Sequence, residues 1–211
     1  MKNKYLLLIL IGFSLILTSC GKYLNSGSLT GTPSPMADVG TTFSAYVSGI
    51  DGVNYIEASV VTSKSGVATI NGTAVVTNSK FKSVLANHPD LTISGDNVTA
   101  TGLQFKGTVN GIESIEGLEP GVLVNYNSNV GDTYKITGKS TVRTVTSKST
   151  TDDYFYNWMD IKVEKVEEPF NSLGIKQINY WANHKYGLVA IEFVFDDGSS
   201  AKFPITTSTT N

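Results

Sequence analysis

Two runs of alternating residues face each other across Asp197-Gly198. Before the turn, Val189, Ile191, Phe193 and Phe195 alternate with Ala190, Glu192 and Val194; after it, Ala201, Phe203 and Ile205 alternate with Lys202 and Pro204. A period of two puts successive side chains on opposite faces of a strand, so one face of this hairpin is strongly apolar and must be covered. Asp-Gly suits the positive φ angles of a tight hairpin turn. Pro204 carries no N–H, which places the last strand at an edge or ends it there.

The same signals recur along the chain. Asp51-Gly52, Asn71-Gly72 and Asn110-Gly111 are further hairpin-type dipeptides between β-prone runs. Strands are expected near 43–49, 53–63, 67–77, 90–94, 97–109, 120–126, 133–137, 141–149, 174–183 and 187–195. One more long strand is expected over about Phe155 to Glu168. In it Met159, Ile161 and Val163 point one way, opposite Tyr154, Tyr156 and Trp158, and the phase slips near Glu164-Lys165, as a β-bulge would cause. A short helix is expected at Ser79 to Asn87: Phe81, Val84 and Leu85 form an apolar stripe, Ser79 caps it and His88-Pro89 stops it.

The N-terminus has the order of an export signal. Lys2 and Lys4 precede an apolar run from Tyr5 to Leu17, interrupted only by Gly12 and Ser14. At ~1.5 Å per residue a helix of that length falls short of a ~30 Å hydrocarbon core, which fits a signal-peptide core rather than a membrane span. Leu17-Thr18-Ser19-Cys20 follows directly and resembles the lipobox of bacterial lipoproteins. That resemblance implies cleavage before Cys20, diacylation of its thiol and acylation of the new terminus. Residues 1–19 are then a signal peptide and the mature chain starts at Cys20. Cys20 is also the single cysteine, so no internal disulfide can form and acylation consumes the lone thiol. Two or three acyl chains anchor far more firmly than one. Gly21, where an aspartate would signal inner-membrane retention by resemblance to enterobacterial sorting, points to the outer membrane.

Residues 20–38 read as a lipidated flexible linker, with Ser26-Gly27-Ser28 and Thr32-Pro33-Ser34-Pro35; a tether of this length spans about 25 Å. Thr206 to Asn211 reads as a short polar tail. A soft boundary is expected at Pro120-Gly121, after the acidic stretch Glu113 to Glu119. It separates a small β-rich N-terminal unit with one short helix (39–118) from an antiparallel sheet that curves (119–211). The fold class is mainly β.

The C-terminal half resembles an uncharacterised group of small bacterial surface lipoproteins. The residues that carry this are Asn129-Val130-Gly131-Asp132-Thr133-Tyr134, then Ile161 to Glu168, then Tyr180-Trp181-Ala182-Asn183-His184-Lys185-Tyr186-Gly187-Leu188-Val189. The resemblance implies a curved antiparallel sheet or half-barrel, and it carries over no functional residue.

Chemistry is thinly represented. Removing Lys2 and Lys4 changes 16 basic against 18 acidic residues to 14 against 18, a net charge of −4, and Arg143 is the single arginine. Nucleic-acid binding needs clustered cations, so no nucleic-acid partner is expected. His88 and His184, the two histidines, have no ligand-type spacing, and no Gly-x-Ser-x-Gly elbow occurs. Asp152-Asp153 and Asp196-Asp197 could offer oxygens to calcium, although aspartates favour hairpin turns for backbone reasons alone. Neither a metal nor a cofactor is expected. The aromatic residues Tyr154, Tyr156, Trp158, Trp181 and Tyr186 are the candidate ligand-binding set, although aromatics in such strands more often pack across neighbouring strands as core. The expected function is therefore a non-catalytic binding or scaffold module at the cell envelope. It is held to the membrane by lipid at Cys20 and directed at a glycan, a lipid or an envelope protein. The alternatives are an assembly component of an envelope complex and, less favoured, a hydrolase.

Overall fold

A computed structural model describes residues 29–49, 51–79, 82, 85, 86, 91–115 and 120–209. The expected export signal, Cys20, His88 and residues 21–28 of the expected linker lie outside the described residues. The fold is mainly β. Its strands are β1 (Thr42–Ala45), β2 (Val53–Lys64), β3 (Val67–Val76), β4 (Leu91–Ser94), β5 (Asn97–Thr108), β6 (Gly111–Ser114), β7 (Gly121–Asn125) and β8 (Thr133–Lys135). They continue as β9 (Val142–Lys148), β10 (Tyr154–Tyr156), β11 (Met159–Ile161), β12 (Glu164–Ser172), β13 (Ile175–Asn183), β14 (Gly187–Phe195) and β15 (Ser200–Ser208).

One antiparallel path joins twelve of them in the order β7-β6-β5-β3-β2-β1-β15-β14-β13-β12-β9-β8, with β4 added beside β5. The path curls until its two ends lie side by side. Thr137 donates its N–H to the Pro120 carbonyl, the Tyr134 hydroxyl meets the Asn125 backbone, and Arg143 reaches the Val122 carbonyl. The result is a nearly closed, half-barrel-like sheet. Both sequence ranges contribute to it, because β1 pairs with β2 on one side and β15 on the other.

Alternation decides what faces inward. The inner residues of β3 (Ala68, Ile70, Ala74), β5 (Val98, Leu103, Phe105), β14 (Ile191, Phe193, Phe195) and β15 (Ala201, Phe203, Ile205) belong to one continuous apolar cluster. Edge-to-face pairs of Phe193 with Phe203 and of Phe43 with Phe105, with ring centres 5.6 and 6.0 Å apart, lock it across strands. The alternating strand directions collect the β2–β3, β5–β6 and β13–β14 turns, residues 126–132 and the end of β15 at one end of the barrel, here called the upper end.

Several expectations are corrected. The long strand over Phe155 to Glu168 is three pieces. Tyr154–Tyr156 and Met159–Ile161 pair as a separate two-stranded hairpin, and β12 begins only at Glu164. Asn157 and Trp158 form the turn at φ 46° and 69°, so Trp158 shares no strand face with Tyr154 and Tyr156. The expected phase slip is present as a register shift between Lys165 and Val166. Asn71-Gly72 is not a turn but lies inside β3 at a bulge, where the Asn71 side chain accepts the Gly102 N–H at 2.9 Å.

Pro204 sits in an internal strand, between β14 and β1. Residue 205 pairs with 45 and 202 bridges to 48, so position 204 falls opposite Tyr46, where the ladder lapses; the missing N–H is spent in that gap. The polar tail is paired as far as Ser208, which opposes Thr42. Of the stretch read as linker, Leu29 to Asp38 lies across the upper end. Pro33 bridges Thr108, Pro35–Ala37 make a 3-10 turn, and Met36 and Ala37 enter the core because they are apolar. Of the expected helix, Ser79, Lys82 and Leu85 are helical and Leu85 is buried; Phe81, Val84 and residues 87–89 lie outside the described residues.

Candidate functional site

The outer wall of β12–β15 carries two cross-strand rows. In one, Lys165, Trp181, Ala190 and Pro204 stand in line; in the other, Glu167, Asn179, Glu192 and Lys202 do. Ala190 and Pro204 are small or flat, which leaves room for the Trp181 indole on the wall. Two ammonium groups lie over that ring: Lys202 Nζ at 4.0 Å from its centre and Lys165 Nζ at 5.2 Å. Lys202 also lies 5.3 Å from the Tyr154 ring centre. Carboxylates balance these charges. Lys165 pairs with Glu167 at 2.5 Å, and Asn179 donates to Glu192 at 2.9 Å. Burial lowers the Lys202 pKa below its ordinary value, with Glu192 opposing the shift. Burial also pushes the Tyr154 phenol up to about 12, reinforced by Tyr46 and Glu192.

A bulge between Trp181 and Ala182 turns Val189 outward. The β10–β11 hairpin covers it. Tyr156, Ile161, Val163 and Val189 are buried together, and Tyr154, Trp181 and Tyr186 pack around them as a second apolar cluster outside the barrel. Tyr156 and Tyr186 have ring centres 5.0 Å apart, and the Tyr156 hydroxyl accepts the Thr207 N–H at 3.2 Å. Thr207 in turn donates its hydroxyl to the Tyr186 carbonyl. The hairpin therefore runs upward along β15, from Tyr154 beside Lys202 to Tyr156 beside Thr207.

Of the five aromatic candidates, Tyr154, Tyr156, Trp181 and Tyr186 come together here, and Trp158 does not. Trp158 stands at the hairpin turn, 90% exposed, edge-on to Phe155, which is 68% exposed. Phe155 points away from the wall because Tyr154 and Tyr156, its alternating neighbours, point toward it. Phe155 and the lysines over Trp181 stand outside the five aromatic candidates. Phe155 is readable from alternation alone once the turn is placed, whereas the lysines need the register.

Buried charge marks the seam where the path ends meet. Arg143 and Glu168 are fully buried, with Nε donating to Oε2 at 2.6 Å, and the Tyr180 hydroxyl donates to the same oxygen at 2.9 Å. Burial and the Glu168 charge hold the Tyr180 phenol far above its ordinary pKa. Nearer the upper end, Glu164 accepts from Tyr134 at 3.0 Å and lies 3.3 Å from Lys148 Nζ, which also binds the Tyr126 and Ser128 carbonyls. Burial raises the Glu164 pKa against the pull of Tyr134 and Lys148. These groups tie strands and the 126–132 loop together.

The remaining candidates occupy turns. Asp197 accepts from the Ser199 N–H and hydroxyl, and Asp153 from the Ser149 hydroxyl. His184 is exposed in the β13–β14 turn. Among the described residues no group of three or more His, Cys, Asp or Glu side chains is placed to hold a metal ion. A shallow groove of about 600 Å³ crosses the outside of β1, β2, β3 and β5, lined by Thr42, Ser44, Glu57, Asn71, Thr73 and Thr101. No family model, no curated protein and no solved structure matches this chain.

Proposed function

We propose that this chain is an envelope lipoprotein. It is exported, acylated at Cys20 and held on a membrane, where its barrel is a non-catalytic binding or scaffold module. The observation that carries the reading is the lone cysteine of Leu17-Thr18-Ser19-Cys20, directly after a short apolar run behind two lysines. Support comes also from the path of the chain, since Leu29, nine residues on, emerges at one end of the barrel rather than within a wall. Gly21 after the cysteine favours the outer membrane.

Two surfaces on the outside of the barrel offer contacts for binding. The hydroxyl-lined groove across β1–β5 offers Ser, Thr and Asn groups to a polar ligand such as a glycan. The second reading, an assembly component that touches other envelope proteins, is favoured by the exposed Phe155 and Trp158.

Cys20→Ala tests the anchor. The variant should lose fatty-acid label and membrane fractionation while its far-UV circular dichroism stays that of the acylated protein. Undiminished label in the variant would overturn the reading. A native pull-down from solubilised envelope, with a glycan array in parallel, separates a protein partner from a carbohydrate.

A further inference from the structure

The β10–β11 hairpin end presents Phe155, Trp158 and Met159 to solvent, at 68%, 90% and 42% exposure. Large apolar side chains exposed in one place mark a contact surface. Here the backbone adds a second observation. Trp158 is held at φ 69°, a left-handed conformation that a bulky residue adopts at a cost. The conformation closes the two-residue hairpin turn, which a glycine would do without strain, and the indole itself stands in water against Phe155.

The position of the hairpin end indicates what covers it. The hairpin rises along β15 toward Thr207, and Tyr186 in the β13–β14 turn donates its hydroxyl to Met159 Sδ. The described chain also begins at the upper end: Leu29 is bonded to Glu113, Thr30 accepts from Asn110, and Val109 donates to Thr32. Met36 packs against Gly187, next to Tyr186, so the entering segment and the hairpin meet on the same end. Nine peptide units separate Cys20 from Leu29, a reach of at most about 30 Å. An acyl group at Cys20 therefore holds this end close to a bilayer.

We propose that the hairpin end, Trp158 foremost, dips into the interfacial layer of the membrane that anchors the chain, so that the barrel stands with its upper end down on the lipid. The inference rests on the acylation of Cys20. Tryptophan favours that layer, because its ring is apolar and its N–H still finds water or headgroups. Charges around the hairpin are mixed: Asp152, Asp153 and Asp160 stand against Lys162 and Lys185, all exposed. Contact is thus apolar in origin, needs no anionic lipid, and is insensitive to salt.

The chain has two tryptophans, so Trp181→Phe leaves Trp158 as the sole emitter. The full acylated Trp181→Phe protein, in phosphatidylcholine vesicles brominated at shallow acyl positions, should lose emission about two-fold or more and resist aqueous iodide. Quenching by iodide with none by bromolipid, in protein that still floats with the vesicles, would overturn the inference and leave the surface to a protein partner. Intact-mass measurement of natively expressed chain reads the acyl group separately; its absence would remove the anchor reading and this inference with it. Should Trp181→Phe disturb the fold, the difference between wild type and Trp158→Phe gives the same quenching signal.

Discussion

The molecule holds two apolar clusters, and they are enclosed in different ways. The inner one is ringed by twelve strands and bonded through by Arg143, Glu168 and Tyr180. The outer one is covered by two three-residue strands that pair only with each other and reach the wall through side chains, with hydrogen bonds from Thr207 to Tyr156 and from Tyr186 to Met159. A ring of ladders opens only when many bonds break together, whereas a flap of this size can open alone. Stability should therefore reside inside the barrel, and adaptability in the hairpin.

The strongest test is Arg143→Met. It leaves the Glu168 carboxylate buried without its cation and should cost roughly 3–5 kcal/mol, read as a lower denaturant midpoint. Adding Glu168→Gln should recover much of that loss, since a neutral amide oxygen still accepts from Tyr180. Tyr156→Ala should cost less, about 1–2 kcal/mol, because the buried ring is covered only by a small hairpin that can settle onto the space left behind. Amide exchange should quicken across residues 154–161 while β13–β15 stay protected. If β13–β15 exchanged as fast, the two clusters would be one cooperative unit.

Glu164→Gln sharpens the comparison through pH. Burial raises the Glu164 pKa in the folded state, so folded protein binds its proton more tightly than unfolded chain. Wild type should therefore gain stability relative to the variant as pH falls through the folded pKa, and the gain is complete below the unfolded value. Thermal melts of both proteins across the acid range would show it; parallel curves would mean that Glu164 titrates as if exposed. Trp158→Gly should have the smallest effect. It removes only the exposed edge-on contact with Phe155 and relieves a left-handed side chain, so stability should hold or rise by about 1 kcal/mol. A marked loss would mean that Trp158 packs against the barrel.

Most strands were legible because each advertises a period of two against a single covered face, as in β3 and β5. The break at Asn157-Trp158 was not, because that turn carries no glycine and its flanks keep alternating. The internal place of Pro204 was hidden because the gap that tolerates it lies just past the end of β1, about 160 residues earlier. Likewise the aromatic cluster was legible as a set of residue types, but not its cover. Only the register shift that turns Val189 outward tells which side of the wall receives the hairpin. Arg143 and Glu168 lie 25 residues apart on β9 and β12, and nothing local announces their pairing.

The last strand to be made, β15, is wedged between the first, β1, and its own hairpin partner, β14. Until it arrives, β1 and β14 each present a bare row of amides and carbonyls, the kind of surface that recruits foreign strands. Ring closure thus waits on contacts between chain ends far apart in sequence, which slows folding. If the chain crosses a membrane unfolded, as the proposed leader would require, it spends that interval on the far side, and a chaperone that shields strand edges would find its substrate there.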